Sequence, residues 1–146
     1  MSHSAVAYIS TAVAGLTPAD LDHLLVDART HNKMLGVTGV LLYDGHFFFQ
    51  YFEGPSEGVA TIYARINASR MHVELHELQS GPVSQLYFPQ WYMGCSHTDG
   101  SVLQKLSHQQ WKREAVNLPD DLEQAGNSPG LRELQAFWIR LQGAGG

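Results

Sequence analysis

The stretch GVTGVLLYDGHFFFQYFEG, from Gly36 to Gly54, limits the fold more than any other part of the chain. Two runs rich in strand formers flank Asp44-Gly45, a pair that suits the tight turn of a β-hairpin. The second run is almost wholly apolar. Phe47, Phe48 and Phe49 precede Gln50, and Tyr51 and Phe52 follow it. A buried polar group without a partner costs on the order of 1–3 kcal/mol, and no sequence neighbour offers Gln50 one. Strand alternation puts Phe48, Gln50 and Phe52 on one face. If helices cover that face, Gln50 lies in the core beside Tyr8, and amide and phenol can satisfy each other.

The other elements arrange themselves around this hairpin. AVAYIS, residues 5–10, is a short strand with Val6, Tyr8 and Ser10 on one face. A helix follows, with Thr17 as N-cap, Pro18 in its first turn, an apolar stripe of Leu21, Leu24, Leu25 and Ala28, and Gly36 as C-cap. After the hairpin, Ser56 is a candidate cap for a second helix with a Val59, Ile62, Ile66 stripe. HVELHELQ alternates as a strand with Val73 and Leu75 inward, and WYMGC is a short last strand. The order βαββαβ plus one strand predicts an α+β fold, a ferredoxin-like sheet with two helices on one face. Two further helical patterns, around Trp111 and from Leu131 to Leu141, would cover the other face. Residues 1–98 are thus read as a core, 99–143 as a helical cap of the same domain, and 144–146 as a disordered tail.

Both core-side helices turn polar near one end. Past Ala28 the first stripe meets His31 and Asn32, with Arg29 on its border. Past Ile66 the second meets Ser69 and Arg70, with Arg65 at the edge. A flat ligand with polar edges and a charged tail would fit between them.

Composition excludes several classes. The chain has 146 residues, a net charge of −5 and no Lys/Arg run, so direct nucleic-acid binding is not expected. Cys95 is the single cysteine, which suits a reducing cytoplasm and leaves no Cys-rich zinc site. No base is placed to activate it, and the chain is not read as an enzyme. No apolar run reaches the ~18 residues of a membrane span. His72, Glu74 and His76 have the composition of a metal set, but their strand spacing reads as a solvated face.

The ordered pieces YIS with Tyr8, ARTHN with Arg29 and Asn32, GVTGVLLY, FFQYFEG with Gln50, VATIYARI and WYMG with Trp91 and Met93 resemble a BLUF domain. That resemblance implies a blue-light sensor holding a flavin non-covalently between the two helices. The flavin would be FAD, with FMN or riboflavin as alternatives. It implies binding by Arg29, His31 and Asn32 on the first helix. On the strands it implies Tyr8, Phe48 and Gln50. Around the end of the second helix it implies Arg65, Ile66, Ser69, Arg70 and His72. Tyr8 would give an electron and then a proton, and the Gln50 amide would be left rotated or tautomerised. Trp91 and Met93 would complete the relay, and a shift of the last strand would carry the signal outward. Ser69 and Met71 stand where the family often has an acid and an arginine, with Arg65 and Arg70 close by. The expected partners are a separate signalling protein and further copies of the chain. The alternative is a flavin-free ferredoxin-like regulatory or oligomerisation module. An acylphosphatase-like hydrolase would need an anion loop with Arg and Asn near the first strand, and YISTAVAG has neither.

Overall fold

A computed structural model describes residues 2–95, 101–116 and 128–144. The elements are β1 (His3–Ala12), α1 (Pro18–Met34), β2 (Thr38–Tyr43), β3 (Phe47–Pro55), α2 (Ser56–Ala68), β4 (His72–Val83), β5 (Trp91–Cys95), α3 (Val102–Ala115) and α4 (Pro129–Ala144). The sheet order is β4-β1-β3-β2-β5. Every pairing is antiparallel except that of β5 with β2. This is the expected ferredoxin-like arrangement with β5 added at the β2 edge.

Local chemistry explains several boundaries. The Thr17 hydroxyl accepts from the Asp20 amide at 3.1 Å, and the Asp20 carboxylate accepts from the Thr17 amide at 3.0 Å. This reciprocal cap starts α1 and holds the Asp20 carboxyl below its ordinary value. At the other end Leu35 caps the helix and Gly36 takes φ +71° just beyond it. Ser56 is not a cap. It is the first helical residue, Pro55 precedes it without a side-chain bond, and its hydroxyl meets those of Ser2 and Ser4 on the β1 side.

β4 departs from the simple alternation. Val73 is exposed rather than inward, whereas Leu75 packs against the α2 layer. Glu74 takes φ +54°, and the β1–β4 register shifts between Ile9 and Thr11. The extra residue of this bulge breaks the period of two, so Val73 and Leu75 leave opposite sides.

The two faces of the sheet are buried by different partners. Val6, Tyr8, Leu41, Phe48, Phe52, Trp91 and Met93 pack toward α1 and α2. Ala5, Ala7, Val40, Leu42, Phe49, Tyr51 and Tyr92 meet Trp111 of α3 and Leu131, Leu134, Phe137, Trp138 and Leu141 of α4. Each large apolar side chain so buried contributes about 1.5–3 kcal/mol. The start of α3 also reaches α1. Gln104 Nε2 donates to the Pro18 carbonyl at 2.9 Å and to Asp22 at 3.0 Å, and the Ser101 hydroxyl donates to Asp22.

Glu53 is fully buried on the second face. Its carboxylate accepts from the Tyr87 and Phe88 amides at 2.6 and 2.9 Å and from the Tyr51 hydroxyl at 3.0 Å. These bonds pin the segment that leads into β5. Burial raises the Glu53 carboxyl above its ordinary 4.5, against the opposing pull of those bonds. A raised acid binds its proton more tightly when folded. Its contribution to stability is therefore full below the ordinary value and is lost as pH rises through the raised one. Glu53→Gln keeps an acceptor for the two amides and removes the charge. Urea unfolding between about pH 4 and pH 8 is expected to show a stability decline with rising pH that the variant lacks. An equal decline in both proteins would mean that Glu53 does not titrate there.

Candidate functional site

α1 and α2 stand apart on one face of the sheet and leave a cleft of about 650 Å³, counted to its open mouth. Tyr8, Leu41, Phe48 and Gln50 form its floor. Leu24, Asp27, Ala28, His31 and Asn32 come from α1, Ile62, Arg65 and Ile66 from α2, and Ser69, Met71 and His72 close the end beyond α2. Apolar walls with a few placed polar groups are the usual lining of a small-molecule pocket.

The floor is built by register. Tyr8 and Gln50 are direct partners across β1 and β3, so both point to the helix side. The Tyr8 hydroxyl donates to Gln50 Oε1 at 2.7 Å. Burial, with a smaller push from Tyr63, raises the Tyr8 phenol well above its ordinary 10.0, so it holds its proton. Gln50 Nε2 makes no hydrogen bond among the described residues, although Gln50 is only 4% exposed. Two donor hydrogens are thus left on a side chain that lines the cleft.

His72 Nε2 donates to the Ile66 carbonyl at 2.8 Å, which leaves Nδ1 to accept from the Ser10 hydroxyl at 2.7 Å. Both ring nitrogens are spent on tying the exit of α2 to β1. Only the ring itself is left for a ligand. The Ser69 hydroxyl accepts from the Met71 amide at 3.2 Å. At the mouth Arg65 donates to Asp27 at 3.2 Å, and His31 Nδ1 lies 2.8 Å from the Asp27 carbonyl oxygen and 3.3 Å from both the Asp27 carboxylate and Arg65. Half-exposed pairs of this kind are worth about 0–1 kcal/mol. Asp27 was not among the sequence candidates. Its acid–histidine spacing of four with His31 on one helix was the available signal.

Four sequence candidates do not line the cleft. Arg29 turns away to α3, where its Nη2 donates to Ser107 Oγ and Gln110 Oε1, each at 3.2 Å. Arg70 is exposed, and Met71 takes the position beside the cleft. Trp91 and Met93 lie one layer back, between α1 and β5. Trp91 still reaches the site through Asn32. In the amide orientation that satisfies both ends, Asn32 Oδ1 accepts from Trp91 Nε1 at 2.9 Å and Nδ2 donates to the Ala28 carbonyl at 3.3 Å. Asn32 is 1% exposed, and its amide keeps one spare hydrogen and one spare lone pair. Met93 is the register partner of Leu41, which is part of the floor.

A ferredoxin-like sheet with a polar-edged cleft beneath two helices has the make-up of a small-ligand-binding domain. The family profile described as "BLUF: Sensors of blue-light using FAD" matches residues 4–94. The chain belongs to the BLUF family, sensors of blue light that use FAD. It is 38% identical over 81 residues to the photoactivated adenylate cyclase subunit alpha-like protein FB of Euglena gracilis, covering 56% of this chain and 8% of that protein. The match is thus a small part of that relative's length. The solved structure of the BlrP1 BLUF superposes with a TM-score of 0.68 at 25% identity, over 94% of this chain and 90% of its own. Klebsiella pneumoniae BlrP1 with FMN and cyclic diGMP gives a TM-score of 0.60 at 28% identity, over 71% of this chain and 29% of its own. No helix among the described residues is long and apolar enough to cross a membrane.

Trp91→Phe removes the N–H that Asn32 Oδ1 accepts. It is expected to lower unfolding free energy by about 1–2 kcal/mol, because the partner stays buried. Urea unfolding measures this. Parent-like stability would mean that Asn32 has another donor.

Proposed function

We propose that the cleft holds the flavin ring and that Tyr8 and Gln50 form the light-driven relay. The observation that carries this reading is the buried Tyr8–Gln50 bond with Gln50 Nε2 left free beside the cleft. The donor set suits the ring. Leu24, Ile62, Ile66, Leu41 and Phe48 offer apolar surface to its faces. The spare donor and acceptor of Asn32 match a pyrimidine edge that presents both, and Gln50 Nε2 can donate to ring nitrogen or carbonyl oxygen. The half-exposed Arg65 stands at the mouth, where a phosphate tail would leave.

Flavin supplies blue-light absorption and, once excited, oxidising power. Held by Asn32 and Gln50, the flavin would be the electron acceptor for Tyr8, whose proton would move along its bond to Gln50 Oε1. When electron and proton return, the Gln50 amide remains rotated or tautomerised. An amide suits this role because its ends are nearly isosteric while its donor and acceptor exchange places. The changed donor pattern biases the packed core between two arrangements until it relaxes thermally.

Residues 1–98 act as the flavin-binding core and 99–143 as a cap of the same domain; the core shared by Trp111, Leu134 and Phe137 with the sheet supports this. The signal passes through β5 to a separate cytoplasmic partner protein. Exposed Val102, Leu106 and Ile139 on α3 and α4 support self-association as well. The test is the visible spectrum of the purified protein in the dark and directly after blue light. A flavin band that shifts red and decays back supports the relay. A flavin band that does not shift overturns it.

A further inference from the structure

A second groove lies on the far side of Trp91, between the end of α1 and the segment entering β5. Arg29, Lys33, Thr38, Pro89, Gln90 and Trp91 are among its lining residues, and it measures about 800 Å³ to its open mouth. Its charge is unlike that of the chain. The protein carries −5 overall, yet the groove is lined by two cations and no carboxylate. Neither Arg29 nor Lys33 is ion-paired among the described residues, where Asp27 takes both His31 and Arg65. Arg29 is half-buried and bound only to the neutral Ser107 and Gln110, so its position is fixed and its charge is not compensated. Lys33 is exposed one helical turn further along the same side of α1.

The groove also touches the flavin cleft through one side chain. Trp91 is 7% exposed and lines the groove, while its indole N–H is the donor to Asn32 at the cleft wall. A change in the hydrogen bonds of Asn32 therefore acts on the groove.

We propose that this groove binds an acidic segment of a partner protein, with an affinity that depends on the state of the cleft through the Trp91–Asn32 bond. The light dependence rests on the function proposed above; the binding itself does not. A protein segment fits better than a compact oxyanion. The groove lies at the C-terminal end of α1, whose dipole disfavours a concentrated negative charge. Spaced carboxylates can reach Arg29 and Lys33 separately while the chain between them packs on Pro89 and Trp91. Two cations are too few for the phosphate contacts of a nucleic-acid track.

The probe is a glutamate-rich peptide with a far-red dye, titrated by anisotropy into flavin-loaded protein so that the reading light does not excite the flavin. Binding that weakens about tenfold in Lys33→Glu, by reversal of one of the groove's two charges, but not in Lys105→Glu on the exposed side of α3, supports the site. A change of affinity on illumination supports the coupling. Equal loss in both variants shows a net-charge effect and overturns the proposal. So does displacement by inorganic phosphate where chloride of equal ionic strength has no effect. Identical affinity in light and dark, with the red shift present, overturns the coupling. A holoprotein with no red shift overturns the light-sensing reading instead, and the Lys33 and Lys105 comparison still decides the groove.

Discussion

The Tyr8→Phe protein is expected to take up flavin, remain yellow and form no detectable red-shifted state under blue light. The phenyl ring keeps the packing of a side chain that is 3% exposed, and the hydroxyl it loses bonds only Gln50 among the described residues. In the relay proposed above, that hydroxyl is the proton source and the phenol the electron source; phenylalanine supplies neither. The cost in stability is that of leaving Gln50 Oε1 without its donor, about 1–2 kcal/mol, which is too little to unfold a domain of ordinary stability. Gln50→Leu is the companion experiment. It keeps Tyr8 but removes the amide that the proposed relay uses and the Nε2 of a side chain that lines the cleft. Light-minus-dark difference spectra of both variants, at matched flavin content, provide the reading. A red-shifted state of normal yield in Tyr8→Phe would remove tyrosine from the mechanism. The same result in Gln50→Leu would move the switch away from the amide.

What the sequence disclosed here was mostly local or periodic. The Gln50 problem is visible because alternation in β3 leaves an amide among aromatic rings, and pairing with Tyr8 needs only two strands in register. The Thr17–Asp20 cap follows from adjacent residues. The misplaced residues depended on distant parts of the chain. Arg29 sits at the border of the α1 stripe, and its direction is set by Ser107 and Gln110, on a helix whose docking no nearby residue specifies. Val73 is exposed because one bulged residue at Glu74 reverses the alternation. The Trp91–Asn32 bond joins β5 to α1 only after β5 has paired with β2. Asn32 was legible as a polar residue on the core-side stripe of α1, but its partner was not.

Gly39→Ala is expected to be the most damaging glycine-to-alanine change among the described residues, and Gly81→Ala is its control. The two glycines take nearly the same φ, +147° and +150°. Each alanine therefore meets a backbone penalty of about 1–3 kcal/mol. They differ in space. A Cβ on Gly81 meets nothing within 4 Å, whereas one on Gly39 would lie 2.0 Å from the Tyr51 carbonyl oxygen and 2.7 Å from Phe52 Cα. Those atoms are backbone of β3, in the middle of the sheet, and no rotamer change moves them. Relief requires β2 to separate from β3, and Gly39 is also tied to the segment before β5 by its amide bond to the Gln90 carbonyl at 3.1 Å. The expected loss exceeds about 4 kcal/mol, in the exceptional range for one substitution and comparable to the whole stability of a marginal domain. β2 carries Leu41 into the cleft floor and lies between Gln50 on β3 and Trp91 on β5. Whatever Gly39→Ala protein folds is therefore expected to lose flavin along with stability, while Gly81→Ala keeps its flavin. Urea midpoints and the flavin-to-protein absorbance ratio of both variants test this together. Equal midpoints would mean that β2 and β3 can part at little cost, and that the close approach at Gly39 does not hold the cleft in shape.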